Sequence, residues 1–219
     1  FSSQSVENES LFNDQIVGNE NSSVSRLIKE LGNSDWVKTG LLFLPETQTQ
    51  ENSTCPFCQE KTISNELIES IKNYFDVAYE TDINSLKSFL EEYSKSIQQI
   101  PSKSFFEANP KFENYKKDFE IKYNAFIKVV EDNKKLIEEK IKTPSVYISL
   151  NSSSESLQQL NNVITQINLL IAEHNNNIDQ KEIVSLTATT PAIGASPKDI
   201  PKITWAKYEN LLKYEYEPI

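Results

Sequence analysis
Apolar residues recur along most of this chain with the period of a helix, and polar gaps with prolines mark where the helices stop. Between residues 64 and 100, apolar positions fall at Leu67, Ile71, Tyr74 and Ala78. They continue at Tyr79, Ile83, Leu86, Leu90, Tyr93, Ile97 and Ile100. The second series alternates steps of 4 and 3, a heptad seam that needs a partner helix to bury it. Read as one helix, the segment is on the order of 50 Å long, and Pro101 stops it. Pro110 opens a second helix to about Lys142. Phe119, Tyr123, Phe126, Val130, Ile137 and Ile141 share one face there, with Asn133 in the same stripe. Thr143–Pro144 ends that helix. Ser152 and Glu155 fit a capping box before a third helix. Its seam carries Leu157, Leu160, Ile164, Ile167, Ile171, His174 and Ile178.

The front of the chain has a different character. Residues 1–23 are polar, interrupted by Leu11, Phe12, Ile16 and Val17, and predict a short helix or a poorly ordered lead-in. Val24–Leu31 predicts a brief helix stopped by Gly32. A second short helix follows, with Ser34 as cap, Asp35 in the first turn and Gly40 at its close. Trp36 and the run Leu41–Leu44 are expected to pack inward beside the cysteine loop. Residues 45–54 read as a polar loop. Residues 187–202 hold three prolines and read as a linker or extended segment. In the tail, Trp205, Tyr208 and Leu212 recur at helical spacing. The pattern divides the chain into a lead-in with short helices and the cysteine loop (1–63), a long-helix region (64–186) and a Pro-rich linker with a terminal aromatic segment (187–219). The expected class is all-α: long antiparallel helices forming a coiled-coil hairpin or an elongated helical bundle, with a small CxxC loop.

Composition narrows the partners. The 219 residues are 37% hydrophobic and 25% charged, enough for one elongated domain or two small ones. Four glycines suit a helical protein better than a turn-rich sandwich. The net charge of −10 shows no basic stripe, so this segment is not expected to grip nucleic acid by itself. No apolar run approaches the roughly 20 residues that span a bilayer, so no membrane partner is expected. Methionine is absent, even at position 1, and the chain is expected to be part of something longer. Asn-x-Ser/Thr triplets at Asn8, Asn21, Asn52 and Asn151 are what an Asn- and Ser-rich sequence produces by chance.

Catalytic motifs are missing from the sequence. There is no G-x-x-x-x-G-K-[ST] phosphate loop and no G-x-G-x-x-G. The single histidine, His174, excludes H-E-x-x-H and any two-His triad. Its place in the seam reads as a packed or half-buried helix residue. What remains is Cys55-Pro56-Phe57-Cys58, which holds the only two cysteines. Thiolates at i and i+3 can close on one tetrahedral ion with Zn–S near ~2.3 Å. Two sulfurs make half a structural zinc site, and the other half can come from the same motif in a second molecule. The pair can equally be a redox dithiol, although no βαβ setting of a thioredoxin-type motif is visible, or two packed, unliganded thiols.

The order DWVKTGLLFL, a polar spacer, CPFCQEK, and then LIESIKNYFDVAYETDINSL resembles a stretch of the RloC/PrrC-type ATPases, the anticodon-nuclease group within the ABC/SMC-like ATPases. Trp36, Val37, Gly40, Leu41, Cys55, Pro56, Phe57, Cys58, Tyr74 and Phe75 match that pattern, and INLLIAEHNNNI at 167–178 has the family's look. Gln59 stands where the family usually has glycine. The resemblance covers residues 24–178. It implies a coiled-coil insertion projecting from an ATPase head, which would bind ATP and Mg in the parent protein only. It also implies a CxxC that acts as a zinc hook, a separate nuclease domain that cuts tRNA in antiviral defence against phage, and a place in the bacterial cytoplasm. No catalytic residue transfers to this segment, which is expected not to be an enzyme. Cys55 and Cys58 transfer as metal ligands, with zinc as the cofactor. The implied partners are a second copy, through CPFC or the helix seams, and the parent ATPase head, with tRNA reached only through the nuclease domain. A standalone acidic helical binding protein and a thiol-disulfide redox module are the competing readings.

Overall fold
The computed structural model describes residues 2–44, 52–55, 57–107 and 110–188. It is all-α, with seven α-helices and no strand among the described residues. The segment 187–219 beyond Ala188 lies outside the described residues, as do Pro56 and most of the loop 45–54. The helices are α1 (Ser25–Leu31), α2 (Ser34–Gly40), α3 (Asn65–Tyr74), α4 (Val77–Gln98), α5 (Lys103–Glu107), α6 (Lys116–Lys142) and α7 (Ser154–Ala188). They belong to two compact units. One contains residues 1–99 and 129–152, the other 100–128 and 153–219.

The expected single rod over 64–100 is two helices. Phe75 has φ −87° and ψ 74°, and Asp76 is extended. The Asp76 carboxylate caps α4 by accepting the Tyr79 N–H at 3.1 Å. Such a cap stabilises a helix start by about 1 kcal/mol. The break lets Ile68, Tyr74, Phe75 and Tyr79 all turn inward, with the Phe75 ring edge-on to both tyrosines. A continuous helix places residues 74 and 75 about 100° apart around its axis. Leu67 and Ala78, expected in the seam, are exposed.

The lead-in is part of the core of the first unit. Its residues form 3₁₀ turns over Ser2–Asn8 and Ser10–Asn13, and Val6, Phe12 and Ile16 are buried. Phe12 packs on Phe89 of α4 with ring centroids 5.9 Å apart. Gly18 lies flat on Tyr74, and Asn19 donates its N–H to the Tyr74 carbonyl at 2.7 Å. That bond satisfies a carbonyl freed where α3 stops. Gly32, with φ 59°, ends α1 as expected, and the Asn33 N–H reaches back to the Ile28 carbonyl. Asn33, not Ser34, occupies the N-cap position of α2, and the buried Ser34 hydroxyl has no partner.

Within this unit α4 and the second half of α6 run antiparallel. Ile83 and Lys87 lie by Ile141 and Lys142, and Ile97 lies by Glu131, Lys134 and Lys135. The α6 stripe is buried at Val130, Asn133, Ile137 and Lys140; Ile141, expected there, is only half-buried. The Asn133 amide donates to the Tyr93 hydroxyl at 3.0 Å and to the Asn151 carbonyl at 2.7 Å. Its oxygen accepts the Asn151 N–H at 2.8 Å, and the Tyr93 hydroxyl donates to Glu7 at 2.8 Å. Burial pushes the Tyr93 phenol well above its ordinary range. It therefore stays a neutral donor within a saturated buried network.

In the second unit the first half of α6 pairs antiparallel with α7. Lys122 donates to Gln159, and Tyr115 and Asp118 lie by Asn162 and Gln166. Phe106, Phe112, Phe119 and Tyr123 form an aromatic cluster, and the Tyr123 hydroxyl donates to the Pro101 carbonyl at 2.9 Å. On α7, Leu157, Leu160, Ile164, Ile167 and Ile171 are buried as the heptad requires, with Val163 added. His174 is exposed rather than packed. In the antiparallel register it lies beyond the stretch of α7 that faces Lys122, Asp118 and Tyr115. α7 begins at Ser154, so the N-cap position is Ser153 and not Ser152. Glu155 accepts from Gln159, one turn further along α7.

Candidate metal centre: the cysteine loop
The loop is closed at its base. Ser53 and Ile63 form an isolated antiparallel bridge, with N–H to carbonyl distances of 2.7 and 3.1 Å. Inside it, Cys55 donates its N–H to the Glu60 carbonyl at 2.8 Å, and Gln59 donates to the Cys55 carbonyl at 2.9 Å. These bonds curl the chain back on itself and need a residue in the left-handed region after the second cysteine. Gln59 supplies it with φ 62°, the one positive φ at a non-glycine among the described residues. The turn is therefore made with glutamine, at a cost of about 1–2 kcal/mol.

The two cysteines are free thiols. The backbone N–H groups of Cys58 and then Phe57 point at the Cys55 sulfur and hold its pKa below the usual thiol range. A smaller contribution comes from the Cys58 side chain. The Cys58 thiol is exposed, with the Thr62 hydroxyl 3.9 Å away. Backbone N–H groups converging on a cysteine sulfur stabilise the thiolate, which is the metal-binding form. The loop thus presents two adjacent sulfurs, and hydrogen bonds to one of them make its thiolate easier to form. Among the described residues no group of three or more His, Cys, Asp or Glu side chains is placed to hold a metal ion. His174 is on α7 in the second unit, whereas the cysteines are in the first.

The loop rests on α2. The Phe57 ring stacks on Trp36 with centroids 5.6 Å apart and planes at 29°. Trp36 therefore lies beside the cysteine loop as expected, but it faces outward and is 57% exposed; Leu42 and Phe43 in the following turn are exposed too. The outward pose follows from the polar anchors of α2. Asp35 accepts the Ser145 hydroxyl at 2.7 Å and faces its N–H. Lys38 pairs with Glu80, and its ammonium lies 4.8 Å from the Phe75 ring centre and 5.0 Å from that of Tyr79. With Asp35 and Lys38 turned to the body, Trp36 turns out.

Sequence reasoning missed Lys140. Its buried ammonium donates to the carbonyls of Asp14 at 2.5 Å, Val146 at 2.6 Å and Pro144 at 3.0 Å. Three donors thus meet three acceptors, and the exit of α6 is tied to the lead-in. The signal was the heptad itself: 119, 123, 126, 130, 133, 137 and 140 step by 4 and 3 without a break.

Fold and loop together define a helical module that carries two free thiols on one short loop. A family of AAA domains matches residues 2–189. The chain belongs to that family, which groups it with the SMC-like ATPases. No curated protein and no solved structure matches the chain. No described helix is long and apolar enough to cross a membrane.

Proposed function
We propose that this chain is a non-catalytic helical insertion of an ABC/SMC-like ATPase, and that its cysteine loop is half of a zinc clasp completed by a second copy. The observation that carries this reading is the loop around Cys55. It is pinned at Ser53–Ile63, it turns at Gln59, and its backbone N–H groups aim at one sulfur beside another. Cys55 and Cys58 supply two thiolates, and zinc in a structural site takes four ligands. The same loop in a second copy supplies the other two. Zinc bound there would act as a structural crosslink. The resemblance to the RloC/PrrC-type group extends the reading to a parent protein that couples ATP hydrolysis to tRNA cleavage during phage infection. In that protein this segment would regulate or dimerise the ATPase head. Metal analysis combined with light-scattering mass tests the clasp. The expected result is about one zinc per two chains, lost together with the dimer in Cys55→Ser. Equal mass for both proteins and no bound zinc would remove the clasp.

The lowered Cys55 thiol also favours a second reading, a dithiol that closes to a disulfide while passing two electrons and two protons to an oxidised partner disulfide. Titration in glutathione buffers, followed by thiol labelling, separates the two. A poised redox couple in zinc-free protein with no zinc-dependent dimer supports the dithiol.

A further inference from the structure
We propose that the stacked pair Trp36 and Phe57 forms the apolar collar of an interface with a second copy of this chain, around the ion that the two cysteine loops would share. The inference rests on the clasp reading above. Phe57 stands between the two thiols in sequence and is 73% exposed, while Trp36 is 57% exposed. Their stack covers part of each ring, and more than half of each side chain stays open to solvent. Aromatic side chains left open in this way are characteristic anchors of protein interfaces.

The choice of partner follows from the sulfur count. Two thiolates leave a tetrahedral ion two ligands short, and no third donor group is placed to supply them among the described residues. A second copy brings the same loop. Because each sulfur lies ~2.3 Å from the ion and neighbouring Cα atoms are about 3.8 Å apart, the residue preceding Cys58 is carried to the contact by geometry. A shared ion with identical loops is an isologous arrangement, in which Phe57 of each copy meets the same patch on the other. The rigid anchoring of α2 through Asp35 and Lys38 holds Trp36 behind Phe57, so little side-chain freedom is lost on association.

The test uses the full 219-residue chain with zinc(II) alone, and with cobalt(II) as a spectroscopic substitute. Sedimentation gives the dimer dissociation constant for the natural chain, Phe57→Ser, Phe57→Leu and Trp36→Ala. The expected result is a metal-dependent dimer that Phe57→Ser and Trp36→Ala weaken by about tenfold or more, with Phe57→Leu recovering most of it. The cobalt spectrum of each variant at saturating protein remains that of four sulfur ligands. Variants that dimerise as tightly as the natural chain would overturn the collar and leave the clasp standing. A natural chain that does not dimerise with either metal would overturn the clasp and the collar with it. Far-ultraviolet circular dichroism identifies any variant that fails to fold, and in that case the Trp36→Ala result decides.

Discussion

The ammonium of Lys140 donates to the carbonyl of Asp14 at 2.5 Å, across 126 positions of sequence. With the Pro144 and Val146 carbonyls it forms a three-acceptor clamp that fastens the lead-in to the end of α6. Lys140→Met keeps much of the side-chain volume but orphans these acceptors. A destabilisation of about 2–3 kcal/mol is expected, read as a lowered urea midpoint. Burial holds the Lys140 ammonium below its ordinary range, against the opposing pull of Asp14 and Asp35. The unfolded chain keeps this proton up to about pH 10.4. Between the lowered value and that limit the unfolded chain binds more protons, so this group's contribution makes stability rise with pH there. The slope should vanish in Lys140→Met.

Gly18 gives the clearest steric prediction. A Cβ at this position would lie 2.4 Å from both the Tyr74 ring and the Tyr74 carbonyl oxygen. The carbonyl is backbone and cannot swing aside. Gly18→Ala should cost about 1–3 kcal/mol, and Tyr74→Leu should not rescue it, because the backbone contact persists. Thermal unfolding of the two single variants and the double variant checks this.

Much of this architecture was legible in the sequence, and the misses have physical causes. The heptads of α6 and α7 are burial patterns, and the helices follow them at Phe119–Ile137 and Leu157–Ile171. The break at Phe75 was encoded as a one-residue jump in phase between Ala78 and Tyr79, next to an aspartate suited to capping. Lys140 was hidden because a charged residue in a seam reads as the seam's end, unless three carbonyls happen to converge on it. The outward pose of Trp36 depends on where Lys38 and Asp35 find partners, which no local pattern contains. Spacing alone put the two cysteines on one loop, and the Ser53–Ile63 bridge closes that loop. The left-handed turn at Gln59 was not, since glutamine has no preference for it.

Gln59 is therefore a site where substitution should help. Gln59→Gly removes the strain of φ 62° and adds some freedom to the unfolded loop. A net gain of about 0.5–1 kcal/mol in the loop is expected. Slower exchange of the Cys55 amide, which bonds to the Glu60 carbonyl within that turn, would register it. Unchanged or faster exchange would show that the strain is absorbed elsewhere.

The thiols should differ in reactivity. N–H groups of Cys58 and Phe57 favour the Cys55 thiolate in the fold, so Cys55 should alkylate faster than Cys58 near neutral pH in metal-free protein. The depressed value makes the associated stabilisation fully present above the unfolded thiol value, about 8.5. It is lost as pH falls through the lowered one. Peptide mapping after brief iodoacetamide treatment across pH 6–9 reads both effects. Equal rates at the two sulfurs throughout would contradict the geometry.

Asn133 has a consequence for movement. Long paired helices in which every seam position is hydrocarbon can slide past one another by a heptad, exchanging one greasy neighbour for another. Here a slip would drag an amide away from Tyr93 and Asn151 and leave it dry among aliphatic groups, costing several kcal/mol. Whatever signal passes along α4 and this half of α6 must travel by bending or by local melting, because the pair is latched against translation.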